Sequence, residues 1–329
     1  MRTGKTQRDG ASGWGWEVSS ADHNNLDELC SLFERSFGHS MPPEQWLWKY
    51  TGATRWGILV RSNGRAVAFY GGMPRQVCIY GQKQLAVQIG DVMVEPAYRR
   101  ILARQGAFFR SAVVFAEKFV GAGKIYHCAY GFPSERHNRL GEKLGLYGRI
   151  GTLLEARWDA IPYRHHLMVT VRTLQEAQLN MATLLWEALS RDLADRVVLQ
   201  RGINYLRHRF LEHPTVQYQL LLVRRRVTGR PLGLLVLRDH GQDLELLDML
   251  GSLRNLPMLV QIARQVAGKL GRRQLYCWLT RPVAEAVETS SPQLTDLNLP
   301  LPTIIWQQQA ELLHTCGHWW LMGGDTDFR

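Results

Sequence analysis

The chain is short of several things whose absence narrows what it can be. It has no run of about 18 apolar residues, so nothing in it reads as a membrane-spanning helix. The opening stretch MRTGKTQRDGASGWG has no apolar segment of the signal-peptide kind, and the expectation is a soluble, cytoplasmic protein behind a flexible leader over residues 1–14. Its five cysteines, Cys30, Cys78, Cys128, Cys277 and Cys316, stand singly, which excludes a recognised zinc spacing and a secreted disulfide framework and fits reduced thiols. Acidic residues are outnumbered, 29 against 40 Lys and Arg, and the formal charge of +11 calls for an anionic partner. Cofactor phosphate, nucleic acid, an acidic carrier protein and a membrane surface all qualify. No recognition-helix or base-stacking signature singles out nucleic acid.

What is present is ordinary globular material: 45% apolar and 21% charged residues over 329 positions, enough for two domains of common size. The first half alternates strand and helix signals. WEVSS (16–20) reads as a strand; Asp22 or Asn24 caps a helix carrying Leu26, Leu29, Leu32, Phe33 and Phe37, which Gly38 stops. Pro42 and Pro43 open a second helix, PPEQWLWKY. The runs 56–61 and 65–72 flank Asn63-Gly64, a strong hairpin signal. Strands at 76–80 and 85–96, a helix over 105–119, a strand within 124–133, a helix over 134–144 and a strand over 147–158 complete the half. This order predicts an α/β fold built on a mixed, mostly antiparallel twisted sheet with flanking helices.

The second half repeats the first. QWLWKY (45–50) has a counterpart in NYLRHRF (204–210), and GILVRSNGRAVAFY (57–70) in LLLVRRRVTGRPLGLLVL (220–237). DVMVEPAYR (91–99) aligns with DMLGSLR (248–254), each followed by a helix, and YCWLT (276–280) stands where KIYHCAYG stands in the first copy. The spacing predicts a tandem duplication, with domains over 15–160 and 161–329 and a glycine-free helical stretch over 172–196 between the copies.

The stretch DVMVEPAYRRILARQGAFFRSA (91–112) leads from an apolar strand through Arg99, Arg100 and Arg104 to a helix opened by Gly106. The first amides of a helix lack internal partners and carry partial positive charge, so this is a place for an anion. Glycine lets the backbone approach phosphates, and the arginines add charge-assisted contacts. A solvated basic loop is the other reading of the same residues.

The surroundings resemble the GNAT family of acyl-CoA N-acyltransferases, in its tandem subgroup. The resemblance rests on Asp91-Val92-Met93-Val94-Glu95-Pro96 for the fourth strand, on Tyr98-Arg99-Arg100 through Gln105-Gly106-Ala107 for the pyrophosphate loop, and on Arg139-Leu140-Gly141-Glu142-Lys143-Leu144-Gly145-Leu146 for the late helix. FERSFGHSMPPEQWLWKY looks like the start of a tandem-GNAT chain, and the pieces together span about residues 15–158. The loop is about three residues longer than the family's Arg/Gln-x-x-Gly-x-Gly/Ala form and keeps one glycine, and Gly141 stands where the family often has a tyrosine acid.

The resemblance implies acetyl-CoA or another acyl-CoA as co-substrate, no metal, and direct transfer to a small-molecule or peptide amine. It assigns cofactor contacts to Val92, Met93, Val94, Arg99, Arg100, Arg104, Gln105, Gly106 and Ala107. Catalytic candidates are Asp91, with Glu135, as the base and Tyr130 as the acid; His127 and Tyr147 lie nearby. The second copy has Arg254 and Pro257 at its helix start and no glycine there, which points to an acceptor-pocket or structural role. Two other functions stay open: FemAB-like aminoacyl transfer from a charged tRNA, and a decayed GNAT-fold binding protein. His314, Cys316 and His318 alternate as on a strand face and lack a fourth metal ligand, and Asp325 and Asp327 read as a frayed acidic tail or as the lining of a substrate pocket.

Overall fold

The computed structural model describes residues 15–99 and 104–328, so the expected leader over 1–14 lies outside the described residues. The chain forms two compact units. The first draws on residues 15–75, 84–150 and 300–314, and the second on 76–83, 151–299 and 315–328.

In the first unit the chain runs β1 (Glu17–Ala21), α1 (Leu26–Phe37), α2 (Pro43–Lys49), β2 (Gly57–Ser62), β3 (Arg65–Ile79), β4 (Gln82–Val94), α3 (Ala107–Phe119), β5 (Cys128–Gly131), α4 (Glu135–Lys143) and β6 (Tyr147–Asp159). Local chemistry sets these bounds. Asp22 caps the turn that enters α1, and Gly38 ends the helix in the left-handed conformation at φ 79°. Asn63 and Gly64, at φ 51° and 75°, make the β2–β3 turn. β1–β2 and β2–β3 pair antiparallel, whereas β4 and β5 run parallel from Ala86↔Cys128 to Ile89↔Gly131.

Two apolar layers hold this sheet. Val87, Tyr70 and the α3 residues Phe108, Ala112, Phe115 and Phe119 form one. Leu29, Leu32, Trp46, Tyr50, Phe69 and Met93 form the other, against α1 and α2. The period of two along β4 follows from this arrangement: Val92 and Val94 face the α3 side, and Met93 faces α1 and α2.

The second unit follows the same order with β8 and β14 added: β7 (Val169–Thr173), α5 (Asn180–Asp192), β8 (Val197–Leu199), α6 (Ile203–Leu206) running into a π turn, β9 (Gln219–Arg225), β10 (Pro231–His240), β11 (Asp243–Leu250), α7 (Leu256–Lys269), β12 (Gln274–Leu279), α8 (Arg281–Ala286), β13 (Gln293–Ile304) and β14 (Trp319–Trp320). β7–β9, β9–β10 and β10–β11 are antiparallel and β11–β12 parallel, the same pattern as β1 to β5. β6 pairs with β12 from Leu154 onward, and in the first unit Thr303 of β13 pairs with Tyr130 of β5. Each unit is therefore a mixed, mostly antiparallel sheet with flanking helices.

Three expectations are corrected. The helical stretch over 172–196 starts late, because Val169 and Val171 alternate with Thr170 and Arg172 and pair with β9 before α5 begins. The strands expected at 65–72 and 76–80 are one strand. β3 leaves β2 at Gly71 and meets β8 at Val77, so Pro74 falls where its missing donor costs no bond to either. Residues 314–318 are not a strand: a 3-10 segment ends at Thr315 and Gly317 turns the chain at φ 78°.

Candidate active site

Past Ile89↔Gly131 the two parallel strands part. β5 turns through Phe132 and Pro133 into α4, whose first turn is capped by the Ser134 hydroxyl accepting from the His137 amide. β4 continues beyond its pairing with β5 through an irregularity at Asp91, which has φ 50°, unusual for a residue other than glycine. The opening is a cavity of about 1020 Å3, walled by Val92 and Val94 of β4, Phe108 and Phe109 of α3, and Ser134 and Leu140 of α4. Arg99, Arg136, Arg139 and Lys143 reach its rim, a cationic mouth on an apolar wall.

The approach to α3 is pinned at both sides of the loop. Trp16 Nε1 donates to the Gln105 carbonyl (2.8 Å) and its ring meets Tyr98 edge-on. Arg99 donates to the carbonyls of Val94 (2.8 Å) and Ser36 (2.5 Å). Gly106 is the N-cap of α3 in extended conformation, and no acidic side chain lies in the first turn. The amides entering α3 thus keep the positive end of the helix free of carboxylate from its own first turn. Arg104 is exposed, its guanidinium 6.0 Å from the Phe109 ring. Ala107 is buried against Trp16 and Val67. Arg100 lies outside the described residues.

The catalytic candidates fall in different surroundings. Asp91 is buried beside α2: Lys49 Nζ sits 2.6 Å from Oδ1 and the Tyr50 hydroxyl donates to Oδ2 at 3.0 Å, with Lys49 and Asp91 side chains 5% and 7% exposed. Gly71 makes this possible, since a Cβ there would lie 2.2 Å from the Tyr50 hydroxyl. Tyr130 is buried, its hydroxyl 3.4 Å from Gln88 Oε1. Glu135 lines the cavity. Its hydrogen bond from Arg139 (2.9 Å), with Arg149 at 3.2 Å, holds its carboxyl below the usual range. Met93 turns its side chain away from the cavity.

Two further features shape the wall. His137 lines the cavity with its Nε2 buried and unpaired; it meets Phe108 edge-on and stacks on Tyr147, and burial pushes its imidazole down to about 4. At Gly141 the missing side chain leaves room for the Tyr147 ring, whose Cδ2 would lie 2.0 Å from a Cβ there. The Tyr147 hydroxyl meets that of Tyr70 at 2.9 Å, and burial raises both phenols above their ordinary range.

The second unit has the corresponding parts and uses them differently. The carboxylate of Asp192 accepts from the Ser252 hydroxyl (2.6 Å) and the Leu253 amide (2.8 Å), so a protein carboxylate occupies the turn before α7. Asp248, aligned with Asp91, is fully buried. Arg201 Nε reaches both its oxygens at 3.0 and 2.9 Å, and Tyr205 donates to it at 3.3 Å. A cation and a tyrosine from around the preceding helix engage the aspartate in both copies. Asp325 is not a frayed acidic tail: it is buried, and its Oδ2 accepts from Arg201 at 2.5 Å. Among the described residues no group of three or more His, Cys, Asp or Glu is placed to hold a metal, and no helix is long and apolar enough to cross a membrane.

Residues 17–107 match the family model of an acetyltransferase (GNAT) domain. No curated protein matches the chain in sequence. Among solved structures, a conserved protein from Enterococcus faecalis described as a probable N-acyltransferase superposes with a TM-score of 0.70 at 14% identity, over 90% of this chain and 74% of that one. A GCN5-related N-acetyltransferase from Kribbella flavida gives 0.63 at 16% identity, over 88% and 70%. Saccharomyces cerevisiae N-myristoyltransferase with bound myristoyl-CoA gives 0.58 at 12% identity, over 91% and 79%. The fold is GNAT-like.

Proposed function

We propose that this chain is an acyl-CoA N-acyltransferase whose co-substrate binds the first unit. The observation that carries the reading is the parting of β4 from β5 at Ile89 and Gly131 into a cavity with an apolar wall, a cationic rim and the start of α3 beside it. Strand edges freed in this way offer backbone groups to an amide-bearing arm, here those of Val92, Met93 and Val94. The amides entering α3 from Gly106, with Arg99 and Arg104, take the diphosphate, and the apolar wall takes the acyl chain. Proteins of similar fold include a probable N-acyltransferase and an N-myristoyltransferase with bound myristoyl-CoA, which supports a thioester donor.

In the reaction the nitrogen lone pair of a deprotonated amine attacks the thioester carbonyl, the C–N bond forms, the C–S bond breaks, and the thiolate leaves with the electron pair. Glu135, ionised at neutral pH and lining the cavity, receives the amine proton directly or through water. Asp91 is a positioning residue: with both oxygens engaged by Lys49 and Tyr50, it holds the irregularity that separates the strands. The second unit supplies no second cofactor site, since Asp192 occupies its equivalent turn.

A thermal-shift panel of CoA, acetyl-CoA and longer acyl-CoAs tests the donor, followed by an amine library scored by released thiol. Arg104→Ala combined with Gly106→Asp puts a carboxylate at the α3 N-cap, a position that accepts Asp, while repelling the diphosphate. Stabilisation by CoA, measured for each protein against its own unliganded melting temperature, is expected in the parent and lost in the variant. Undiminished stabilisation in the variant, or none in the parent, refutes the assignment.

A further inference from the structure

The second unit carries a surface that its core and the cavity of the first unit leave unused. The connection from β6 to β7 and the tip of the β9–β10 hairpin are fastened into one double tip. The backbone amide of Arg226 donates to the Met168 carbonyl at 2.9 Å, its Nε to Leu167 at 3.1 Å, and its Nη2 to His166 at 2.7 Å. Val169 pairs with Arg225 just behind. From this fastened base Leu167, Met168 and Val227 stand out at 85%, 71% and 92% exposure, the three most exposed large apolar side chains among the described residues.

The charge around them is of one sign. Arg164, Arg172, Arg224, Arg225, Arg226 and Arg230 lie in the two segments 160–172 and 219–231, which contain no Asp or Glu. Among the described residues none of these six makes a salt bridge, although the neighbouring Arg157, Arg207 and Arg238 do. Scattered single apolar residues on a surface need no explanation; three on one tip among arginines that make no salt bridge do.

Nucleic acid would satisfy the arginines and leave leucine, methionine and valine in water. A bilayer with anionic headgroups satisfies both, since the cations sit at phosphate level and the short apolar tips enter the acyl boundary. We propose that the double tip seats the second unit on an anionic phospholipid surface. This reading does not depend on the acyl-CoA assignment.

The test is co-sedimentation of the full chain with phosphatidylcholine vesicles made with and without phosphatidylserine. Binding is expected to the phosphatidylserine vesicles only, to weaken as salt rises, and to fall about fivefold when Arg225→Gln removes one surface cation. Leu167→Ser, Met168→Ser and Val227→Ser together should abolish it while leaving the melting temperature unchanged, because these side chains are solvent-exposed. Equal binding by the triple variant, binding indifferent to phosphatidylserine, or binding to a single-stranded RNA oligonucleotide with none to vesicles each overturns the proposal.

Discussion

Gly141→Ala offers a sharp check on how the cavity wall is built, because two effects of known size oppose each other. Gly141 sits inside α4 at a backbone conformation that alanine adopts, and in an exposed helix interior the exchange stabilises by about 0.5–1 kcal/mol. Here the added Cβ would lie 2.0, 2.5 and 2.6 Å from Cδ2, Cε2 and Cγ of Tyr147. Carbon atoms rest at about 3.5–4.0 Å, so the ring must retreat by roughly 1.5 Å. It has little room, being buried against Phe108 and His137 with its hydroxyl on Tyr70. Overpacking costs about 1–3 kcal/mol and contacts this short put it at the upper end, so the net expectation is a loss of about 1–2.5 kcal/mol, read as a lower urea midpoint at unchanged slope. In the Tyr147→Ala background the same exchange should turn neutral or stabilising, and the cycle should show a coupling of about 1–3 kcal/mol. Gly141→Ala as stable as the parent, or additive with Tyr147→Ala, would refute the packing.

Three further outcomes follow, two from buried groups and one from the cavity wall. Lys49→Met strands the Asp91 carboxylate and should destabilise by about 3–5 kcal/mol, measured by urea unfolding; Asp91→Asn in the same background should recover part of it. His137 is held neutral by burial, its pKa about 4 against about 6.5 when unfolded, so its contribution is complete above pH 6.5 and is lost as pH falls from 6.5 toward 4. The loss should amount to about 1–3 kcal/mol, and His137→Gln should flatten the pH dependence over that window. Glu135→Gln should lower kcat with KM for the acyl-CoA unchanged; a KM effect alone would assign Glu135 to binding.

Much of the fold was legible because its signals are local. Gly38, Asn63-Gly64 and the prolines before α2 act within one turn, and the spacing of the repeated segments survives where their identities do not. The end of β7 falls inside the stretch expected to be helical, because a short β-branched run becomes a strand only through its partner β9. The candidate site was half legible. The strand, arginine loop and helix start are contiguous in sequence, whereas the clamp of Lys49 and Tyr50 on Asp91 spans more than 40 residues and the Tyr70–Tyr147 contact 77. The empty position at Gly141 reads as a missing tyrosine in sequence; in space the ring of Tyr147 takes up that room.

The duplication separates the two roles that the residues around Asp91 could have. If the aspartate at this point of the fourth strand served chemistry alone, the copy with its anion turn occupied by Asp192 would have no reason to keep it. That copy keeps Asp248 and buries it completely, with Arg201 on both its oxygens and Tyr205 beside it. We therefore propose that the shared element is structural, a carboxylate that ties the strand to the preceding helix region through a cation and a tyrosine. Arg201 also holds Asp325, so Arg201→Met leaves two buried carboxylates without their cation and should cost at least the ~3–5 kcal/mol of a single broken buried pair. A loss below about 1 kcal/mol in urea unfolding would mean that the aspartates are not held for stability, and would return Asp91 to the list of candidate bases.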